Sequence, residues 1–434
     1  MGAPRVFQKE SVENVSLDVN DKSPNILKGL RVLDLTRLLP GGFCTLLFAD
    51  LGAEILKIED PEQGDYLRWI PPFAGKYGAY YQAVNGGKKS LALNLKTEAG
   101  RRILLRLVNS ADVFVENFRP GITVALGIDY ERLQTVNPRL VYCSISGYGQ
   151  SGPYQARAGH DINYAGLTGF LSGSDGGSET SEQSPCPPQR QVADIGTGYA
   201  AAVAILAALC ARERTGEGAY LDIAIAEVLL TFNLLPLILA AEKKEEQSNS
   251  AGAGAELTGA LACYNLYKTA DGKFVSLGAL EPKFWKAFLA AVDRPELFDQ
   301  QWDSARQNEL KATLKELFLQ RPQEEWIVLF KNKPDACCEP VLSSVDLLRH
   351  PLFQARGVFS AANSRLKSVL QVASPVGQRP PQRSPAPEYG QDAAEILASC
   401  GFSPEEIREF ENTGVIRLRP TSNMSSLMGL RSSS

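Results

Sequence analysis

The segment Gly159-His160-Asp161-Ile162-Asn163-Tyr164 holds one of only two histidines in 434 residues. Histidine is the side chain whose unperturbed pKa lies nearest neutral pH, so it moves a proton with little help from its surroundings. With a glycine before it and an aspartate after it, His160 fits either a catalytic imidazole or a satisfied loop histidine. Further on, Asp194 stands in Val192-Ala193-Asp194-Ile195-Gly196-Thr197-Gly198. One reading makes it the N-cap of the helix that follows, satisfying orphan N–H groups. The other makes it a reacting carboxylate beside backbone donors that stabilise a developing oxyanion. Gly196 and Gly198 would let a ligand approach the backbone. The spacing permits one pocket for His160 and Asp194 without requiring it.

A third carboxylate, Glu281, lies in Gly278-Ala279-Leu280-Glu281-Pro282. It reads as a first-turn acid favoured by the helix dipole, or as a carboxylate that orients a histidine. His350 before Pro351 reads as a turn residue. Cys337-Cys338 have no base nearby in sequence, which argues against a catalytic thiol.

The elements around these residues alternate. Leu30–Leu35 reads as a strand, Pro40-Gly41-Gly42 as a turn, and Phe43–Leu51 as a helix. Glu54–Glu59 is a second strand, parallel to the first. Strand and helix then recur: Leu91–Leu95, Glu98–Val108, Val113–Glu116 and Leu140–Ile145. Such alternation predicts a parallel sheet covered by helices. Ser172–Pro188 is a polar loop between the histidine and Asp194. After it come a helix from Tyr199 to Arg214, a strand Ala219–Ala224, and an apolar, buried helix from Glu227 to Glu242. Lys243–Ala255 reads as a linker. Beyond it a hairpin (Tyr264–Lys268, Phe274–Leu277) and helices at Pro282–Val292, Gln307–Leu319 and Gln323–Lys331 form a second unit. A Pro-rich stretch, Ser374–Pro387, leads to a last helix from Asp392 to Glu411. These breaks predict a loose arm over 1–27 and the first part of a large domain over 28–245. A small domain over 256–355, a return to the large domain over 356–418 and a frayed tail over 419–434 complete the division.

Composition narrows the chemistry. Forty-five basic and 49 acidic residues give a net charge of −4. No basic track or nucleic-acid motif is present, so no nucleic-acid partner is expected. No GxGxxG or Walker A sequence follows the first strand. Eight scattered cysteines without a CxxC pair predict no metal site and reduced thiols in the cytoplasm. No run approaches about 18 consecutive apolar residues, so no membrane partner is expected. The start of the chain shows no signal core, and its end is not of the Ser-Lys-Leu type.

Several motifs, taken in order, resemble the family III CoA-transferases (CaiB/BaiF), and within them the α-methylacyl-CoA racemase branch. They are Gly29-Leu30-Arg31-Val32-Leu33-Asp34, Asp50-Leu51-Gly52-Ala53-Glu54 and Lys57-Ile58-Glu59. Gly64-Asp65 with Arg68, Glu116-Asn117-Phe118-Arg119-Pro120-Gly121 and Ser146-Gly147-Tyr148-Gly149-Gln150-Ser151-Gly152-Pro153 follow. At Val124-Ala125 the chain departs from the family pattern, which has a basic residue there. The resemblance implies an α/β fold: a Rossmann-like large domain with a parallel sheet, a smaller α+β domain, and an interlocked homodimer. It implies an acyl-CoA thioester as substrate, with coenzyme A part of that substrate and no cofactor tightly bound. Contacts to CoA would come from Lys57, Glu59, Arg68, Leu93, Asn94, Lys96, Asn117, Phe118 and Arg119. Tyr164, Ile195 and Gly196 would meet the substrate or its oxyanion. In the racemase branch His160 and Asp194 are the two bases, with Glu281 near the histidine. In the transferase branch the aspartate at position 194 is instead the nucleophile, forming anhydride and thioester intermediates. Epimerising a 2-methylacyl-CoA needs a base on each face of Cα and donors for the enolate oxygen. A transferase needs no second base, so His160 is the feature that favours the racemase.

Overall fold

The computed structural model describes residues 26–172, 186–242, 255–355 and 384–418. Most of the 1–27 arm, the Ser172–Pro188 loop, the Lys243–Ala255 and Ser374–Pro387 linkers and the 419–434 tail lie outside the described residues.

Seven strands form the main sheet, in the spatial order Ile416–Arg417, Lys89–Leu93, Glu54–Glu59, Arg31–Asp34, Val113–Glu116, Val141–Ser146, Ala219–Ala224. All pairs are parallel except the first, where Ile416 lies opposite Leu93 in an antiparallel edge. The inner strands are apolar on both faces, as a sheet covered twice must be. Leu33, Leu56, Leu91 and Phe114 pack under the helix Glu98–Val108. Val32, Ile55, Val113 and Val141 face the helices Leu39–Asp50 and Val192–Thr215. Alternation of side chains along each strand separates these two cores. The helix Glu98–Val108 starts where the Thr97 hydroxyl accepts the Gly100 N–H at 3.0 Å. Its charged residues Arg101, Arg102 and Arg106 lie opposite the buried Ile103, Leu104 and Leu107.

The helix Leu39–Asp50 takes in Pro40-Gly41-Gly42, a stretch expected as a turn. Proline is preorganised for the first helical turn. A Cβ at Gly198 would lie 2.8 Å from the Phe43 ring and 3.0 Å from the Pro40 carbonyl oxygen. The helices Leu39–Asp50 and Val192–Thr215 therefore cross in close contact, and Gly198 makes that approach possible. The second of them is long and apolar enough to cross a membrane by composition. In this fold Ala193, Ala201, Ala202, Ile205 and Leu209 on it are buried in the core of the large domain.

The Glu227–Glu242 segment differs from expectation. It forms two helices, Ile225–Leu230 and Leu234–Glu242, joined by a 3-10 turn. Leu229 is buried, but the rest turns outward: Phe232, Leu234 and Ile238 are 53%, 63% and 49% exposed. Apolar composition shows that a surface wants cover, but not whether its own chain supplies it.

The second unit is an antiparallel sheet of Tyr264–Lys268, Phe274–Gly278 and Cys338–Pro340. Three helices, Pro282–Ala291, Gln307–Phe318 and Gln323–Lys331, build an aromatic core of Trp285, Phe288, Phe318 and Trp326. The chain then returns to the large domain. The Arg68 guanidinium and the Tyr81 hydroxyl each donate to the Pro387 carbonyl at 3.1 Å. The expected Asp392–Glu411 helix is two, Ala393–Ser399 and Pro404–Asn412. Gly401, at φ +81°, breaks it, and the Ser403 hydroxyl caps the second piece by accepting the Glu406 N–H at 3.2 Å.

Candidate active site

A cavity of about 820 Å³ opens at the carboxyl ends of the parallel strands. Leu35, Glu59, Leu93, Asn117 and Ser146, each at or just past the end of a strand, contribute to its wall. Ligands of open α/β sheets bind in this position, because loops and helix starts converge there. His160 and Asp194 both line the cavity, although they are 34 residues apart.

Local packing delivers each of them. His160 caps the short helix Asp161–Leu167, and its backbone N–H donates to Asn163 Oδ1 at 2.9 Å. The buried Tyr164 ring is wedged between two glycines. A Cβ at Gly147 would lie 2.6 Å from the Tyr164 hydroxyl, and one at Gly159 would lie 2.9 Å from its ring. The Tyr164 hydroxyl donates to the Gly159 carbonyl at 2.9 Å, which fixes the residue before His160. Asp194 is not the N-cap. The helix begins at Val192 with Gln191 as its cap, so Asp194 sits in the first turn. Its backbone N–H donates to Asp161 Oδ2 at 3.0 Å, joining the histidine helix to the aspartate helix.

Burial, and then the charge of Asp161, push the Asp194 carboxyl from 3.8 up to about 7. A carboxyl poised near neutrality can both take and return a proton, which an ordinary exposed aspartate does poorly.

Of the residues expected to touch CoA, Leu93, Lys96, Asn117, Phe118 and Arg119 line the cavity, and Glu59 joins them at its edge. Lys57 and Arg68 do not. Both are 0% exposed. Lys57 pairs with Asp65 at 2.9 Å, and Arg68 pairs with Glu59 at 2.6 Å under the Tyr81 ring. These pairs hold the wall of the cavity from behind, and a buried charge needs such a partner. Asn94 also stays off the cavity wall, and its Oδ1 accepts the Lys96 N–H at 3.1 Å, shaping the turn that presents Lys96. Ile195 and Gly196 are not free oxyanion donors. The Ile195 N–H is bonded within the helix to the Gln191 carbonyl at 3.1 Å, and Gly196 packs against Phe232. Tyr164 lines the cavity, but its hydroxyl proton is already engaged. Glu281 caps the helix Pro282–Ala291 in the small domain and is not part of the cavity wall.

Two arginines that no motif signalled also face the cavity. Arg37 lies at the end of the first strand; its N–H donates to Asn117 Oδ1 at 2.8 Å and its carbonyl accepts from Asn117 Nδ2 at 2.7 Å. Its guanidinium packs over Tyr66 and Phe118. Leu38 beside it turns the chain at φ +64°, an uncommon conformation for a branched residue that marks functional turns. Arg157 stacks on Tyr154 with its guanidinium carbon 3.5 Å from the ring centre, three residues before His160. The position of Arg37 at a strand's carboxyl end was the available signal. Ala125 also lines the cavity, at the position where the sequence lacks the usual basic residue.

The family model described as CoA-transferase family III matches residues 27–393. The chain belongs to CoA-transferase family III. It is 33% identical over 401 residues to the alpha-methylacyl-CoA racemase of Mus musculus, covering 90% of this chain and 97% of that protein. It is 31% identical over 415 residues to the succinyl-CoA:glutarate CoA-transferase of Homo sapiens, covering 92% of this chain and 91% of that protein. The fold matches a CAIB/BAIF family protein from Brucella suis with a TM-score of 0.73 and 29% identity, over 86% of this chain and 99% of that one. Relatives of nearly equal similarity are therefore named for two different reactions.

Proposed function

We propose that this chain is an acyl-CoA racemase that moves the α-proton of a 2-methyl-branched acyl-CoA thioester between two bases. One observation carries the reading: His160 and Asp194 line the same cavity, on separate short-range supports joined through Asp161. Either base takes the Cα proton, leaving an enolate, and the other returns a proton to the opposite face. The Asp194 carboxyl near 7 suits that exchange. Arg37, Lys96 and Arg119 supply cations to the CoA phosphates, and Ile145, Ile225 and Leu38 offer apolar wall to the acyl chain.

The reading includes a homodimer in the cytoplasm. The exposed apolar side chains of Ile225–Leu230 and Leu234–Glu242 need cover, and Glu281 stands outside the cavity of its own protomer. A second copy would cover the first and bring its own Glu281 toward His160.

CoA transfer is the second reading, favoured by the human transferase relative and by a carboxylate that reaches the cavity from a helix's first turn. There the Asp194 carboxylate attacks the thioester carbonyl and expels CoA thiolate, giving a mixed anhydride. The thiolate then attacks the Asp194 carbonyl, releasing the acid and leaving an aspartyl-CoA thioester, and hydroxylamine traps either intermediate. Acyl-CoAs in heavy water, with and without a free carboxylic acid, separate the two. Deuterium entering Cα with no CoA movement supports the racemase. CoA appearing on the added acid, with no α-exchange, overturns it in favour of the transferase.

A further inference from the structure

At the cavity end of the large sheet, three polar side chains stand in register across three parallel strands. Glu116 lies beside Ser144, and Ser144 beside Asp222. Phe114, Tyr142 and Tyr220 form the row before them on the same face, ring against ring. Glu116 and Ser144 are 2% and 1% exposed.

Two lines of hydrogen bonds from this row end on Glu116. Gln150 Nε2 donates to Ser144 Oγ at 2.8 Å, and Ser144 Oγ donates to Glu116 Oε1. From the other side the Phe118 N–H donates to Glu116 Oε2 at 2.7 Å. The Gln150 N–H donates to Asp222 Oδ2 at 2.9 Å. One carboxylate thus terminates two tethers. The first holds the turn that puts Asn117, Phe118 and Arg119 on the cavity. The second holds the loop that follows the cavity-lining Ser146 and Gly147.

Among the described residues no lysine or arginine pairs with Glu116. The titratable groups on its face of the sheet are Asp222 and the Tyr142 and Tyr220 phenols, none of them cationic. Burial pushes Glu116 up to about 7; the bonds from Ser144 and Phe118 oppose the rise, and the Asp222 charge adds to it.

We propose that Glu116 is a positioning residue for acyl-CoA binding, whose ionised carboxylate draws the two walls of the cavity together. This rests on the CoA-thioester reading of the cavity. When ionised, Glu116 accepts both tethers as charge-assisted bonds, roughly twice as strong as neutral ones. When protonated, it must itself donate. A proton on Oε2 meets the Phe118 N–H, and one on Oε1 meets the Ser144 hydroxyl, which must then turn away. Either way a tether weakens, although no atom of Glu116 touches substrate.

Steady-state kinetics of the full chain with a 2-methylacyl-CoA, between about pH 5.5 and 8.5, test this. Wild-type KM is expected to fall about tenfold as pH rises through 7, the worth of one charge-assisted bond over a neutral one. Glu116→Gln, which keeps the shape and fixes the donor, should hold the low-pH KM throughout. The kcat profile set by Asp194 should persist in both. Ser144→Ala removes a donor to the ionised form, so its KM transition should move to higher pH. A Glu116→Gln variant that follows the wild-type KM profile overturns the proposal, as does a Ser144→Ala transition that stays in place. Hydrogen exchange at the Phe118 amide gives a readout that needs no turnover. Against Glu116→Gln at the same pH, the wild-type amide should gain protection above pH 7 and lose it below. Equal protection in the two proteins at every pH overturns the proposal. A chain that neither binds nor turns over acyl-CoA would defeat the functional reading, while the amide exchange would still decide the role of Glu116.

Discussion

Asp194→Asn is expected to abolish turnover and at the same time raise the melting temperature at pH 8. In the folded chain burial and the Asp161 charge hold the Asp194 carboxyl near 7, against 3.8 for an ordinary one. The folded state therefore binds this proton more tightly than the unfolded state does. Stability from this group is greatest below the unfolded value, declines as pH climbs between the two values, and levels off above 7. Each pH unit in that window is worth about 1.4 kcal/mol, so the full penalty has a ceiling of about 4 kcal/mol. The carboxyl borders an open cavity, where water and relaxation raise the effective dielectric, which leaves about 1–2 kcal/mol as the working figure. Asparagine keeps the volume and the backbone N–H bond to Asp161 but carries no charge. In a chain of this size the gain is a few degrees. Calorimetric melts of both proteins at pH 8 and near pH 4.5 check it. The variant should melt higher at pH 8, with the margin shrinking toward pH 4.5. A variant that melts at or below wild type at pH 8, or with a margin that ignores pH, would show that Asp194 is not held protonated by burial.

Other perturbations probe the supports of the site. Gly159→Ala places a methyl 2.9 Å from the Tyr164 ring and the Tyr148 hydroxyl, so His160 should shift; kcat should drop about a hundredfold with about 1–3 kcal/mol of stability lost, read by kinetics and denaturant melts. Asp161→Asn removes the charge that helps raise Asp194. The acid limb of kcat should then move to lower pH, and a limb that stays put or rises contradicts the assignment. Ile238→Glu places a charge on the exposed apolar helix Leu234–Glu242, and sedimentation should show a smaller assembly than wild type. An unchanged assembly would remove that face from the subunit contact.

Much of the scaffold was readable because its signals are local. Glu54–Glu59, Glu98–Val108, Val113–Glu116 and Gln323–Lys331 fall where alternation and caps place them. His160 and Asp194, which the resemblance singled out, both line one cavity. What the sequence hid depends on contacts that residue type does not announce, some near in the chain and some far. Lys57 and Arg68 look like cations for phosphates until Asp65 and Glu59 are seen beside them. Asp194 looks like a cap, but the helix starts two residues earlier, and Asp161 from another helix takes its N–H. The first-turn amides expected at an oxyanion are taken up in the same way, by the helix itself. Arg37 carries no motif beyond its place past a strand's carboxyl end, and Asn117 pins it at the cavity. The Glu227–Glu242 stretch read as core because hydropathy does not say which surface will cover it.

In the proposed reaction His160 and Asp194 act as two separate bases on opposite faces of one carbon. The most direct measurement follows each pure enantiomer of a 2-methylacyl-CoA in heavy water, with His160→Ala and with Asp194→Ala. Both variants should lose racemisation, yet each should still exchange the α-proton of one enantiomer, and the two variants should keep opposite ones. Racemisation surviving in either variant, or both enantiomers exchanging in both, would contradict the two-base account.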